Sequence, residues 1–126
     1  MTEAGVVEAV EDYYWAVDRQ DWAYTYAYLD SQTRAMFTEE EWYMKNQWFA
    51  DTYPAPLSTL NVRVNGSASD PVVSVTVYRG FADGGSQARD TYFLLEDGVW
   101  KHRFGQEEID LFLPDVGYEE FVAAQQ

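Results

Sequence analysis

His102 is the only histidine in the chain, and imidazole is the side chain that changes charge near neutral pH and so suits proton transfer. Acid–base work also asks for a carboxylate. Asp12, between Val10 and Tyr13, and Asp18, at the end of the same apolar-periodic stretch, are the two acids that can turn inward. Asp21, Asp70, Asp83 and Asp97 have capping or turn roles that suffice for them. Tyr13, Tyr14, Tyr24, Tyr26 and Tyr28 form a cluster whose hydroxyls can orient a ligand or hold an oxyanion. Arg79 and Arg89 flank Asp83-Gly84-Gly85, where they can clamp an anion or pair with Asp83 or Asp90. Each group also has a plainer reading, and that reading is preferred. His102 is then a core histidine with one hydrogen bond, the tyrosines are core aromatics with wet tips, and the arginines sit in ion pairs.

Other chemistries are excluded by residue type. With no Cys there is no disulfide, thiolate nucleophile or Cys-based zinc site, and one His cannot build a His-rich metal site. No Asp-x-Asp-x-Asp-Gly loop, phosphate loop or nucleophile elbow is present, so neither metal nor cofactor is expected. The 22 acids against eight bases give a net charge of −14, which disfavours nucleic acid and anionic membrane surfaces. No apolar run reaches membrane-spanning length, so direct membrane insertion is not expected. The five Trp, ten Tyr and seven Phe are unusual for 126 residues, and amphipathic rings of this kind tolerate a half-wet pocket.

The elements that must position these groups follow from period. Val6, Ala9, Val10, Tyr13, Tyr14 and Val17 recur at helical steps. Arg19-Gln20 interrupts them, and Asp21 caps a second helix through Leu29. Thr38-Glu39-Glu40-Glu41 is a capping box opening a third helix, with Phe37 and Trp42 placed for a hydrophobic staple. The apolar residues of that helix, Trp42, Tyr43, Met44, Trp48 and Phe49, cover more than one side, so it is either sandwiched or offers a face to a partner. Tyr53-Pro54-Ala55-Pro56 ends the helical half.

Strand alternation then takes over, in Leu57–Val64 and again in Val73, Val75 and Val77. A loop over Gly80–Gln87 leads into Arg89–Leu95, Glu96-Asp97-Gly98 and Val99–Phe104. Asp-Gly between two alternating runs reads as a type I′ hairpin, which pairs Leu95 with Trp100, Phe93 with His102 and Thr91 with Phe104. Thr91, Phe93, Leu95, Trp100, His102 and Phe104 then share the buried face, with Asp90 and Glu96 opposite. Beyond Gly105, Ile109, Phe112 and Leu113 have helical spacing until Pro114, and Tyr118–Ala124 forms a short terminal helix.

The order is α+β: three N-terminal helices packed on a curved antiparallel sheet. Three stretches carry a resemblance to the NTF2-like superfamily of cone-shaped domains, which includes SnoaL-like and ketosteroid-isomerase-like proteins. Asp18-Arg19-Gln20-Asp21-Trp22 resembles the joint between the first two helices of that fold. Phe37-Thr38-Glu39-Glu40-Glu41 resembles the start of its third helix, and Glu96-Asp97-Gly98-Val99-Trp100-Lys101 resembles a hairpin of its later strands. The whole chain, 1–126, reads as one such domain with a core over about 6–104 and a C-terminal extension over 105–126. The tail is similar to that of small bacterial domains carried by exported or anchored proteins, so an extracytoplasmic origin is one expectation.

The resemblance implies a cavity between sheet and helices, and a homodimer. Some superfamily members are isomerases, cyclases or hydrolases, while many others bind ligands or mediate interactions. The expectation here is a non-catalytic module with an aromatic pocket of Tyr13, Tyr14, Tyr26, Phe93, Trp100, His102 and Phe104, binding a small apolar molecule or a protein partner. The alternatives are an isomerase- or cyclase-type enzyme using His102 with Asp12 or Asp18, and a purely structural accessory domain.

Overall fold

The Asp97-Gly98 turn takes the backbone that a two-residue hairpin loop requires, with φ of 54° and 78°. In the computed structural model, which describes every residue from Met1 to Gln126, this turn joins β3 (Ser86–Glu96) to β4 (Val99–Arg103). The expected register holds, with Phe93 opposite His102, Leu95 opposite Trp100 and Glu96 opposite Val99. The ladder ends at Tyr92–Arg103, one residue short of the expected Thr91–Phe104 pair. With β1 (Leu57–Val64) and β2 (Val73–Phe81) these strands make an antiparallel meander in the order β1-β2-β3-β4. The loop expected over Gly80–Gln87 shrinks, because pairing runs on to Gly80–Ser86.

The helices follow their signals closely. α1 (Glu3–Asp18) buries Val6, Val10, Tyr13, Tyr14 and Ala16. Gln20 turns the chain at φ 57°, and the Asp21 carboxylate accepts from Tyr24 N–H to cap α2 (Trp22–Ala27), which stops short of Leu29. A one-turn α3 (Ser31–Arg34), capped by Asp30, was not anticipated. The main chain of Tyr28–Asp30 instead lies beside β4: His102 N–H donates to the Tyr28 carbonyl at 2.8 Å, and Asp30 N–H donates to the His102 carbonyl at 2.9 Å. The β4 edge of the sheet is thereby covered, and His102 is held from both sides.

α4 (Glu39–Thr52) starts where Thr38 Oγ1 accepts from Glu41 N–H at 3.1 Å. Its wide apolar cover is met from within the chain. After the hairpin come α5 (Gln106–Phe112) and α6 (Tyr118–Ala124). Phe112 stacks on Trp42 at 5.5 Å, and Phe121 meets both Trp48 and Phe49 edge-on at 5.5 Å. Burying a ring such as Phe121, which is 0% exposed, contributes roughly 2–3 kcal/mol. The buried Lys45 ammonium donates to the carbonyls of Leu113 at 2.9 Å and Val116 at 2.8 Å, tying down the bend between the two helices. The extension over 105–126 is thus part of the core packing. No helix is long and apolar enough to cross a membrane.

Candidate functional site

The concave face of the sheet grades from apolar to polar along its strands. Register puts Val73 beside Phe93, Val75 beside Thr91, Val77 beside Arg89 and Arg79 beside Gln87. Since alternate residues share a face, Val73, Val75, Val77 and Arg79 of β2 point the same way, as do Gln87, Arg89, Thr91 and Phe93 of β3. The apolar end is filled. Val73, Val75, Val77 and Phe93 are buried with Val6, Val10 and Tyr13 of α1.

His102 sits at the boundary. Its ring stacks on Phe93 at 4.8 Å and meets Tyr13 edge-on at 4.3 Å, and the residue is 1% exposed. The expected burial is observed, but the single hydrogen bond of a core histidine is not: Nε2 has both an acid and a hydroxyl beside it. Glu108 Oε2 lies 3.1 Å from His102 Nε2. Thr91 Oγ1 is 2.8 Å from the same nitrogen and donates to Glu108 Oε1 in a short bond. Gly105 N–H donates to that oxygen as well, at 2.9 Å. Because the Thr91 hydrogen is directed to the carboxylate, Nε2 faces only acceptors and must carry the ring proton. Nδ1 is buried with no protein partner.

Burial alone would push the Glu108 carboxyl up. The neighbouring His102, with the bonds from Thr91 and Gly105, outweighs it and holds the group below its ordinary range. Glu108 is the third residue of α5 after its Gly105 cap, so its carboxylate reaches back to the Gly105 N–H as in half of a capping box. The Gly105-Gln106-Glu107-Glu108 spacing is the sequence signal for this, and it lies just beyond Phe104, where the resemblance ends.

Neither candidate acid, Asp12 or Asp18, pairs with His102. Asp12 is exposed on α1, and Asp18 is exposed at the helix end, where its carboxylate accepts from Leu57 N–H at 2.7 Å. Arg79 and Arg89 do not form the expected ion pairs with Asp83 or Asp90. Asp83 closes its own turn on Gly85 N–H, and Asp90 accepts from Thr76. Both arginines turn into the concave side instead. The Arg79 guanidinium donates to Gln87 and lies over the rings of Tyr14 at 5.3 Å and Phe81 at 5.7 Å. Its pKa is lowered, chiefly by burial. Burial likewise raises the Tyr13 and Tyr14 phenols well above the usual range, so both are neutral donors.

These groups face a cavity of about 720 Å³. One wall is α4 and α5, through Trp42, Phe49, Ala50 and Phe112. Another is the sheet, through Arg79, Gln87, Arg89 and His102, and Tyr13, Tyr14 and Val17 of α1 complete the lining. The mouth is ringed by the exposed residues Asp18, Gln20, Tyr53, Pro54 and Pro56. Of the expected pocket residues, Tyr13, Tyr14, His102 and Phe104 line this space. Phe93 and Trp100 border a separate cavity of about 370 Å³ between α1 and the hairpin. Tyr26 lines neither, since its hydroxyl donates to the Phe37 carbonyl at 3.1 Å. No cluster of three metal-ligating side chains occurs.

No family model and no curated protein matches the sequence. Among solved structures, a Campylobacter jejuni protein described as a "putative NTF2-like transpeptidase" is similar, with a TM-score of 0.58 at 11% identity over 75% of this chain and 94% of that one. Identity this low speaks for architecture and not for chemistry. The helices, the curved four-stranded sheet and that neighbour together establish that the chain has the NTF2-like fold.

Proposed function

We propose that this domain is a non-catalytic binding module whose main cavity takes a small, largely apolar molecule. The supporting observation is the cavity itself: about 720 Å³, aromatic-walled and open at Tyr53 and Pro54. That is the size and lining of an ordinary small-molecule site. A purely structural domain would have packed its own rings into that volume. Trp22 and Trp42 line the cavity, so their fluorescence reports on filling. A neutral aromatic probe such as 2-naphthamide should change that fluorescence saturably, and Ala50→Phe, which fills the cavity from α4, should abolish the response. Saturation that survives Ala50→Phe overturns the reading.

A second reading, acid–base chemistry at His102, is favoured by one observation, the 3.1 Å contact between Nε2 and Glu108 at the cavity edge. It is weaker because Glu108 already receives bonds from Thr91 and Gly105, so the pair has a sufficient structural role. A lone histidine gives a single set of ring ¹⁵N signals. If the Nε2–H tautomer persists through the folded pH range and a cavity ligand leaves Nδ1 unmoved, the acid–base reading fails.

The homodimer expected from the sequence now draws its support from the outer sheet face, where Tyr78 and Tyr92 are exposed, because α5 and α6 cover α4. Light scattering at micromolar concentration that reports 14.6 kDa would refute it.

A further inference from the structure

Of the eight basic side chains, only Arg103 has a carboxylate at ion-pair distance, that of Asp30. Lys45 is held by two carbonyls, Lys101 by the Ala27 carbonyl and Arg63 by Asn65 and Thr76, and Arg19 and Arg34 lie outside the cavity lining. Arg79, whose guanidinium donates to Gln87, and Arg89 differ in facing the cavity. Both line the main cavity, neither has a carboxylate at ion-pair distance, and the Nε of each is buried with no hydrogen-bond partner in the protein. They are also neighbours. Register sets Arg79 opposite Gln87, two residues from Arg89 on the same face of β3, a diagonal that long side chains can bridge. Like charges held side by side in a half-buried site are unfavourable unless an anion joins them.

We propose that the cavity takes a small organic anion, an apolar body bearing a carboxylate or phosphate, with the guanidinium groups of Arg79 and Arg89 gripping the oxyanion. The planar fork of Arg matches either head group. The Trp42, Phe49 and Phe112 wall takes the body, and the neutral Tyr14 hydroxyl is available as a further donor. This assignment rests on the cavity being a ligand site and adds the class of ligand.

Calorimetric titration of the full chain with 2-naphthoate, 2-naphthyl phosphate and the uncharged 2-naphthamide separates the two claims. At least one anion should bind about 10-fold or more tightly than the amide, as expected for charge-assisted hydrogen bonds. Whichever anion is stronger identifies the head group. Arg79→Gln and Arg89→Gln should each lose most of that margin, with the amide titrated beside the anions as the control for cavity shape. If a variant loses the amide too, its cavity has changed, and the wild-type ratio of anion to amide decides alone. Equal binding of amide and both anions overturns the anion assignment and leaves the ligand site standing. Failure of all three probes at millimolar concentration overturns both.

Discussion

Replacing Glu108 by Ala removes the acceptor of three donors at once. The Thr91 hydroxyl can turn to the Arg103 carbonyl, already 3.2 Å away. His102 can move its proton to Nδ1 and accept from Thr91, but Nδ1–H would then be a buried donor without a partner. Gly105 N–H makes its hydrogen bond to Glu108, and a buried donor orphaned by its loss costs about 1–3 kcal/mol. With two such orphans and the lost packing, Glu108→Ala should destabilise the domain by about 3–5 kcal/mol. For a chain of this size that is on the order of 2 M in urea midpoint. Glu108→Gln keeps an oxygen for Gly105 and Thr91 and should cost about half as much.

The pair also has a pH signature. The folded-state carboxyl lies below the ordinary glutamate value of 4.5, so its contribution is complete above the unfolded value and is lost as pH falls through the lower folded one. Wild-type stability should therefore decline in acid more steeply than that of Glu108→Gln. Urea titrations at pH 7 and along the acid limb measure both effects. A cost under about 1 kcal/mol for Glu108→Ala, or parallel acid limbs, would refute the reasoning.

Gly98 at φ 78° has no atom within 4 Å of an added Cβ, so Gly98→Val should cost about 1–3 kcal/mol of backbone strain alone. Equal melting of variant and wild type would show that the turn had relaxed. Lys45→Met strands the Val116 carbonyl and should raise amide exchange across Tyr118–Ala124, so unchanged protection there would falsify the tethering role. The raised values of Tyr13 and Tyr14 mean that folding keeps them neutral, so stability is complete below the ordinary phenol value of 10.0 and falls as pH rises past it. Tyrosinate absorbance should show two of the ten tyrosines ionising only with cooperative unfolding. A single graded titration of all ten would contradict this.

How far sequence reading reached depended on whether a feature was local. The hairpin was legible because Asp97-Gly98 and two alternating strands state the same register independently. The caps at Asp21 and Thr38 were legible because a cap is a relation over three residues. Ser31–Arg34 carries no apolar rhythm, and its helix is set by Asp30 and by Glu96 holding Ser31 from the far hairpin. The partner of His102 was missed for the same reason. Asp12 and Asp18 lie near in sequence to the apolar face of α1, but the acid that reaches His102 comes from a helix in the extension. Arg79 and Arg89 were assigned to acids near in sequence, whereas alternation along the strand sends their side chains to the opposite face from Asp90.

The docking of the tail has a consequence for how the polypeptide is made. Synthesis runs from the N-terminus, and the hairpin that presents His102 leaves the ribosome before Glu108, Phe112 and Phe121 do. Until those residues emerge, the rings of α4 stay uncovered and the imidazole lacks its acid. The nascent chain passes through a stage with hydrophobic surface open to chaperones and to aggregation. The last two helices act as a latch, and the interval before it closes is when this protein is most vulnerable to misassembly.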